Sequence, residues 1–210
     1  LGPIKLQDSI LNVFKFLKEE IGDRRIVALG EQTHEDGKTF QLRARMTEFL
    51  MEEMGFEVVL FEAGMFDVYH ANNLIKSSGE ISDLRNSLYY FWRDAVQHER
   101  LFEYWQERLD NQKSLEFAGF DTKLTSQYGR GENNFTSQTR TLLNGINSEL
   151  LTHPSAVEYF SIWSEIEQDM AKGGIFSINF DMEEGEKHTL LELSTWVHDQ
   201  VQKHNPEWAQ

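Results

Sequence analysis

The sequence predicts an α/β fold: a mainly parallel sheet flanked by helices, with a mostly helical C-terminal region. Short apolar runs at 26–29, 58–61 and 115–118, bounded by charged residues or glycine, indicate buried strands. The segment between the first two runs is too long for a hairpin and has helical periodicity, which favours parallel strands joined by a right-handed connection. Beyond residue 121 the pattern is mostly helical.

The N-terminal segment predicts a helix followed by the first strand. Apolar residues recur at helical spacing over residues 8–20, with Asp8 placed to cap the N-terminus. Gly22 and Asp23 end this helix. The apolar residues 26–29 follow without any polar residue between them, so we expect this strand to be buried.

The next segment predicts the helices around the second and third strands. A helix begins near Thr39 and ends at Gly55, a natural C-cap, and the strand at 58–61 follows directly. Further helical patterns occupy about 66–76, 81–92 and 98–110, before the third strand.

The C-terminal part lacks a convincing strand, although the short alternation at 175–180 is ambiguous. A polar loop at 126–137 precedes helices near 137–151, 155–171 and 186–204, with a break at Gly173-Gly174. We therefore divide the chain into an α/β core over 1–125 and a helical region over 126–210, which we expect to share one domain. Three strands are few for this much helix, so either strands are unrecognised or part of the natural partner sequence is missing.

Composition excludes several classes of function. The 35 acidic and 20 basic residues give a formal net charge of −15, which disfavours nucleic acid and anionic membranes as partners. The absence of cysteine excludes disulfides and thiolate chemistry. No apolar run approaches a membrane span, and we expect no signal peptide. The compartment is not indicated.

An acidic residue follows each predicted strand at its carboxyl end: Glu31, Glu62 and Asp121. Parallel strands bring these ends to one edge of the sheet, where ligands of open α/β sheets bind. His34 follows Glu31 within one turn. A carboxylate beside an imidazole suits general acid–base catalysis, with His34 removing a proton from water or an alcohol. The same cluster also suits a Zn²⁺, Mn²⁺ or Fe²⁺ site.

Other side chains can contribute to such a site. Arg43 or Arg45, on the helix after Glu31, could hold a carboxylate or an oxyanion. Trp92 and its aromatic neighbours could line an apolar pocket, although aromatic residues at helical spacing more often form a core. His98 and Glu99 begin a predicted helix, where we expect exposure. No nucleophile elbow, phosphate-binding loop or His-Glu-x-x-His motif is present, which disfavours serine hydrolases and nucleotide-binding enzymes.

Several linked motifs resemble the erythromycin esterase family over residues 25–121. They are Ala28-Leu29-Gly30-Glu31-Gln32-Thr33-His34, Leu42-Arg43-Ala44-Arg45, Phe61-Glu62-Ala63, then Trp92 and Glu99, and Phe117-Ala118-Gly119-Phe120-Asp121. Their shared order makes the resemblance more specific than an isolated Glu-x-x-His. It implies hydrolysis of a cyclic or other carboxylic ester, macrolactones included, by histidine-activated water, with no required metal or cofactor.

Matched position by position, the resemblance implies a role for each of several residues. His34 matches the general base, Glu31 and Glu62 match the acidic residues around it, and Arg43 or Arg45 matches a nearby basic residue.

We expect Asp121, Trp92 and Glu99 to contribute to substrate binding, and the partner to be a small-molecule ester rather than nucleic acid or a membrane. Two alternatives remain open. One is a metal-dependent hydrolase that uses the same glutamate and histidine cluster. The other is a non-catalytic relative that binds a small molecule or haem.

Overall fold

The computed structural model describes residues 14–31, 33, 36–121, 135–172 and 182–204. The chain divides into two compact units, Leu1–Ser126 and Gln127–Gln210. Predictions that fall on other residues lie outside the described part of the chain: the start of the first helix, the Gly173-Gly174 break, the alternation at 175–180 and most of the predicted loop at 126–137. The last residues of that predicted loop, 135–137, are helical instead.

The first unit alternates helices and strands, which confirms the predicted α/β class. Its elements are α1 (Phe16–Ile21), α2 (Gly37–Met54), β1 (Val58–Gly64), α3 (Met65–Ser78), α4 (Ser82–Ser87), α5 (Tyr90–Arg93), a 3₁₀ turn (Val96–His98), α6 (Glu99–Asp110) and β2 (Glu116–Asp121). The helix predicted over 81–92 is thus two short helices, since the chain is extended at Leu88.

The sheet pairs β1 with β2 in parallel, with Val59 opposite Phe117 and Phe61 opposite Gly119. Trp105 of α6 packs edge-on against both Phe61 and Phe117, so this helix covers one face of the sheet. The backbone N–H of Phe117 donates to Asn72 Oδ1 of α3 at 3.0 Å. This bond satisfies a buried strand donor that would otherwise lack a partner.

The prediction of a buried strand at 26–29 is wrong. Within the described residues the sheet has two strands, and this segment joins neither of them. Val27 and Leu29 pack against the cluster that contains Phe49 and Leu50, whereas Ile26 is 84% exposed. The four apolar residues therefore alternate between the core and the outside, and only one face of the segment is covered.

Helix α2 begins and ends at well-formed caps. The Asp36 side chain accepts hydrogen bonds from the backbone N–H groups of Lys38 and Thr39, and Gly55 adopts a left-handed conformation at φ 72°. These caps confirm the predicted helix and its end at Gly55.

The second unit contains α7 (Phe135–Ile146), a 3₁₀ turn (Ser148–Thr152), α8 (Pro154–Lys172) and α9 (Glu184–His204). Its core includes Leu143, Phe160 and Leu193. The predicted helical C-terminal region is confirmed. No helix among the described residues is long and apolar enough to cross a membrane.

Gly119 is required by the close approach of β2 to the end of β1. A Cβ added there would lie 2.6 Å from the carbonyl oxygen of Ala63 and 2.8 Å from that of Gly64. We expect Gly119→Ala to lower the free energy of unfolding by about 1–3 kcal/mol in urea denaturation, because backbone atoms must move. Gly30→Ala is the control, since no atom of the described residues lies within 4 Å of its added Cβ. Equal stability of the two variants would contradict this prediction.

Candidate functional site

A cavity of about 1470 Å³ in the first unit is lined by residues 22–31, by the inner face of α2 and by residues 57–62. Glu31, Arg43, Glu62 and Trp92 contribute to its wall. The cavity exceeds the roughly 300–1,000 Å³ typical of small-molecule pockets. It therefore has room for a sizeable organic ligand.

A nearly buried ion pair lies in this cavity. Arg43 Nη2 is 2.8 Å from Glu31 Oε2, and the two side chains are 14% and 10% exposed. Arg43 Nη1 also donates to the carbonyl oxygen of Leu29 at 3.4 Å. The pair joins the end of the extended segment to the first half of α2, so local structure on both sides determines its geometry.

The Arg43 guanidinium lies against two aromatic rings. Its central carbon is 5.0 Å from the centre of the Phe40 ring and 4.4 Å from that of Trp92. Burial lowers the pKa of Arg43, whereas Glu31 and Glu62 raise it. Arginine remains charged under these conditions, so the cavity holds a fixed cation that two rings contact and two carboxylates stabilise.

Trp92 connects the elements that surround the cation. Its indole Nε1 donates to the backbone carbonyl of Glu62 at 3.2 Å, which ties α5 to the end of β1. Its own carbonyl oxygen lies 2.9 Å from His98 Nδ1. Trp92 is therefore held through both its side chain and its backbone.

His98 is buried in the same cluster, with 5% of its surface exposed. Its ring stacks on Phe40 at 4.8 Å and on Trp92 at 5.7 Å, and it lines the cavity. Burial lowers the pKa of His98 and Arg43 lowers it further, while the bond to the Trp92 carbonyl and the charge of Glu31 raise it. The expectation that His98 is exposed is wrong. Its sequence neighbours Gln97 and Glu99 give no signal of this burial, which depends on the Phe40 and Trp92 rings.

The structure brings together some of the predicted site residues. Glu31, Glu62, Arg43 and Trp92 line one cavity. His34 lies outside the described residues.

Three other predicted site residues do not line the cavity. Arg45 Nη1 lies 3.1 Å from Glu48 Oε2, and Glu99 accepts a 2.9 Å hydrogen bond from Arg85. Asp121 accepts a 2.7 Å hydrogen bond from the Tyr89 hydroxyl. Each side chain thus has a partner of its own away from the Glu31–Arg43 pair.

Among the described residues, no group of three or more acidic or histidine side chains is arranged to hold a metal ion. His34 is not one of the described residues, so this statement does not cover it. Glu31 contacts the Arg43 guanidinium instead, and a divalent cation at Glu31 would be repelled by that charge.

No protein-family model matches the chain. It is 32% identical over 121 residues to "Putative hydrolase YbfO" of Bacillus subtilis (strain 168), covering 57% of this chain and 26% of that protein. It is 36% identical over 92 residues to erythromycin esterase type II of Escherichia coli, covering 43% of this chain and 22% of that protein. A crystal structure of a Bacillus cereus protein matches 92% of this chain and 44% of that chain, with a TM-score of 0.67 and 18% identity.

The two sequence matches confirm the predicted erythromycin esterase-like relationship. The chain spans about a quarter of the length of these curated relatives. The similarity to the Bacillus cereus protein shows a common fold.

Proposed function

We propose that this protein is a hydrolase related to the erythromycin esterases and that it cleaves a carboxylic ester with water. The observation that carries the proposal is the Glu31–Arg43 ion pair, which lies in a cavity lined partly by aromatic side chains. Glu31 precedes His34 by three residues in the sequence. The names of the two curated relatives, a hydrolase and an esterase, support the same class of reaction.

In the proposed reaction, His34 acts as the general base. It takes a proton from water while the water oxygen bonds to the ester carbonyl carbon, and the carbonyl electron pair moves onto oxygen. The tetrahedral intermediate then collapses and breaks the bond to the alcohol oxygen, which receives the proton from His34. The products are a carboxylic acid and an alcohol, so no cofactor is consumed.

Arg43 is the residue that we assign to the developing oxyanion. Its guanidinium is held by Glu31, Phe40 and Trp92, so little reorganisation is needed when negative charge appears nearby. Arg45 does not suit this role, because it pairs with Glu48 away from the cavity. The sequence alone left the choice between these two arginines open.

Glu31 and Glu62 both support the charged groups of the proposed site. Glu31 orients Arg43 through a direct ion pair, and both carboxylates stabilise the positive charge of Arg43. We propose that the same two carboxylates also orient and tune His34, as the resemblance implies. The predicted substrate-binding residues Asp121 and Glu99 do not line the cavity, and Tyr89 and Arg85 are their hydrogen-bond partners.

The test is turnover of p-nitrophenyl butyrate and of erythromycin by purified protein, before and after treatment with a chelator. We expect hydrolysis of at least the activated ester, with kcat/KM unchanged by chelation, because the proposed base is an imidazole. Loss on chelation with recovery on adding Zn²⁺ would favour the metal-dependent alternative instead. Binding of either ester without any turnover would contradict the proposal and favour a non-catalytic binding protein.

A further inference from the structure

The proposed function gives no part to His98, which stacks on the rings that contact Arg43. Its imidazole lines the same cavity as Glu31 and Arg43, although it is almost completely buried. It stacks on the two rings, Phe40 and Trp92, that also contact the guanidinium of Arg43. These stacking contacts fix the plane of the imidazole at the wall of the cavity.

The contact at Nδ1 determines which ring nitrogen of His98 can accept a hydrogen bond. Nδ1 lies 2.9 Å from the carbonyl oxygen of Trp92, and a carbonyl oxygen can only accept. Nδ1 therefore carries the hydrogen and donates it. In a neutral imidazole the other nitrogen, Nε2, then has a lone pair and is an acceptor.

The surroundings of His98 favour this neutral form. Burial and the nearby Arg43 guanidinium disfavour a second positive charge, and together they lower the pKa of His98. The opposing groups are the Trp92 carbonyl and the Glu31 carboxylate, and Glu31 is already paired with Arg43. At neutral pH the imidazole is therefore uncharged, with Nε2 unprotonated.

We infer that His98 is an additional binding residue of this cavity, whose Nε2 accepts a hydrogen bond from a hydroxyl group. The donor is either the attacking water or a hydroxyl of the substrate, and both present the same chemistry to Nε2. The inference rests on the proposed function in placing the reaction in this cavity. It adds a second histidine to the site, distinct in role from His34 because its tautomer is fixed by Trp92.

The first experiment reads the tautomer directly and needs no activity. Protein labelled with ¹⁵N-histidine is studied by long-range ¹H–¹⁵N NMR, with the His98 signals identified by their loss in His98→Asn. We expect Nδ1 to be protonated and Nε2 unprotonated at neutral pH, with a pKa below the ordinary 6.5. A proton on Nε2, or a pKa above that value, would overturn the inference even if the protein hydrolyses esters.

A pair of substitutions then separates the two nitrogens. Asn at position 98 can keep a donor near Nδ1 but has no group at Nε2, whereas Gln can place an amide oxygen near Nε2. We expect His98→Asn to lose activity and His98→Gln to retain more of it. A purely structural role through the Trp92 carbonyl predicts the opposite order. Urea denaturation of both variants measures how much of any loss comes from unfolding.

Two matched esters identify the donor: p-nitrophenyl butyrate and p-nitrophenyl 3-hydroxybutyrate. If Nε2 binds the attacking water, His98→Asn lowers kcat for both esters, by about 10-fold or more. If it binds a substrate hydroxyl, KM rises only for the hydroxy ester, by roughly 2- to 10-fold. Unchanged kcat and KM for both esters would overturn the inference. If the wild-type protein hydrolyses neither these esters nor erythromycin, the proposed function fails, whereas the NMR experiment still tests the inference through the protonation of Nε2.

Discussion

Replacing His34 with Asn is expected to lower kcat/KM for p-nitrophenyl butyrate by about 100- to 10,000-fold, the range of general acid–base catalysis. Asn has a similar shape but cannot take a proton from water at neutral pH. The loss should lie mainly in kcat, because His34 is proposed to act in the chemical step rather than in substrate binding. Initial rates over a range of ester concentrations measure both parameters.

The matched control is His70→Asn. His70 lies in α3 of the same unit, stacks on the Phe66 ring and does not line the cavity. We expect this variant to keep wild-type kcat and KM. If His34→Asn also retained them, with folding verified by urea denaturation, His34 would not be the base and the proposed mechanism would be wrong.

The sequence predicted the elements that depend on local pattern. Helix α2 was predicted because a capping glycine follows its apolar periodicity, and β1 because an apolar run follows that glycine. The equally apolar run at 26–29 forms no strand in the described part of the chain. An apolar run indicates an extended and partly covered segment, but strand pairing depends on a partner elsewhere in the chain.

Part of the candidate site was predictable, although one premise was wrong. Glu31 and Glu62 were placed together as residues at the ends of parallel strands, but residues 26–29 form no strand and Glu62 lies within β1. Both side chains nevertheless line the cavity. Arg43 and Arg45 could not be separated by sequence, yet two residues apart on a helix they project to different sides, and only Arg43 lines the cavity. His98 was missed because its burial depends on stacking against Phe40, which is distant in sequence.

Arg43→Met is expected to lower the free energy of unfolding by about 3 kcal/mol, because it removes one partner of a nearly buried ion pair. The Glu31 carboxylate would then lie in the cavity without its cation, and the attraction between Arg43 and Glu62 would also be lost. Met keeps much of the apolar contact with Phe40 and Trp92, so the change reports mainly on charge. Urea denaturation at low and high salt measures the effect.

A double-mutant cycle with Glu31→Gln isolates the pair itself. We expect the double variant to be more stable than Arg43→Met alone, because it no longer holds an uncompensated carboxylate. Lys18→Met is the control for an exposed ion pair in the same unit, since Lys18 and Glu53 are 42% and 38% exposed, and it should cost less than about 1 kcal/mol. If Arg43→Met lowered the free energy of unfolding no more than Lys18→Met, the Glu31–Arg43 pair would be as solvated as the exposed pair. Arg43 would then not be a preorganised cation for the oxyanion.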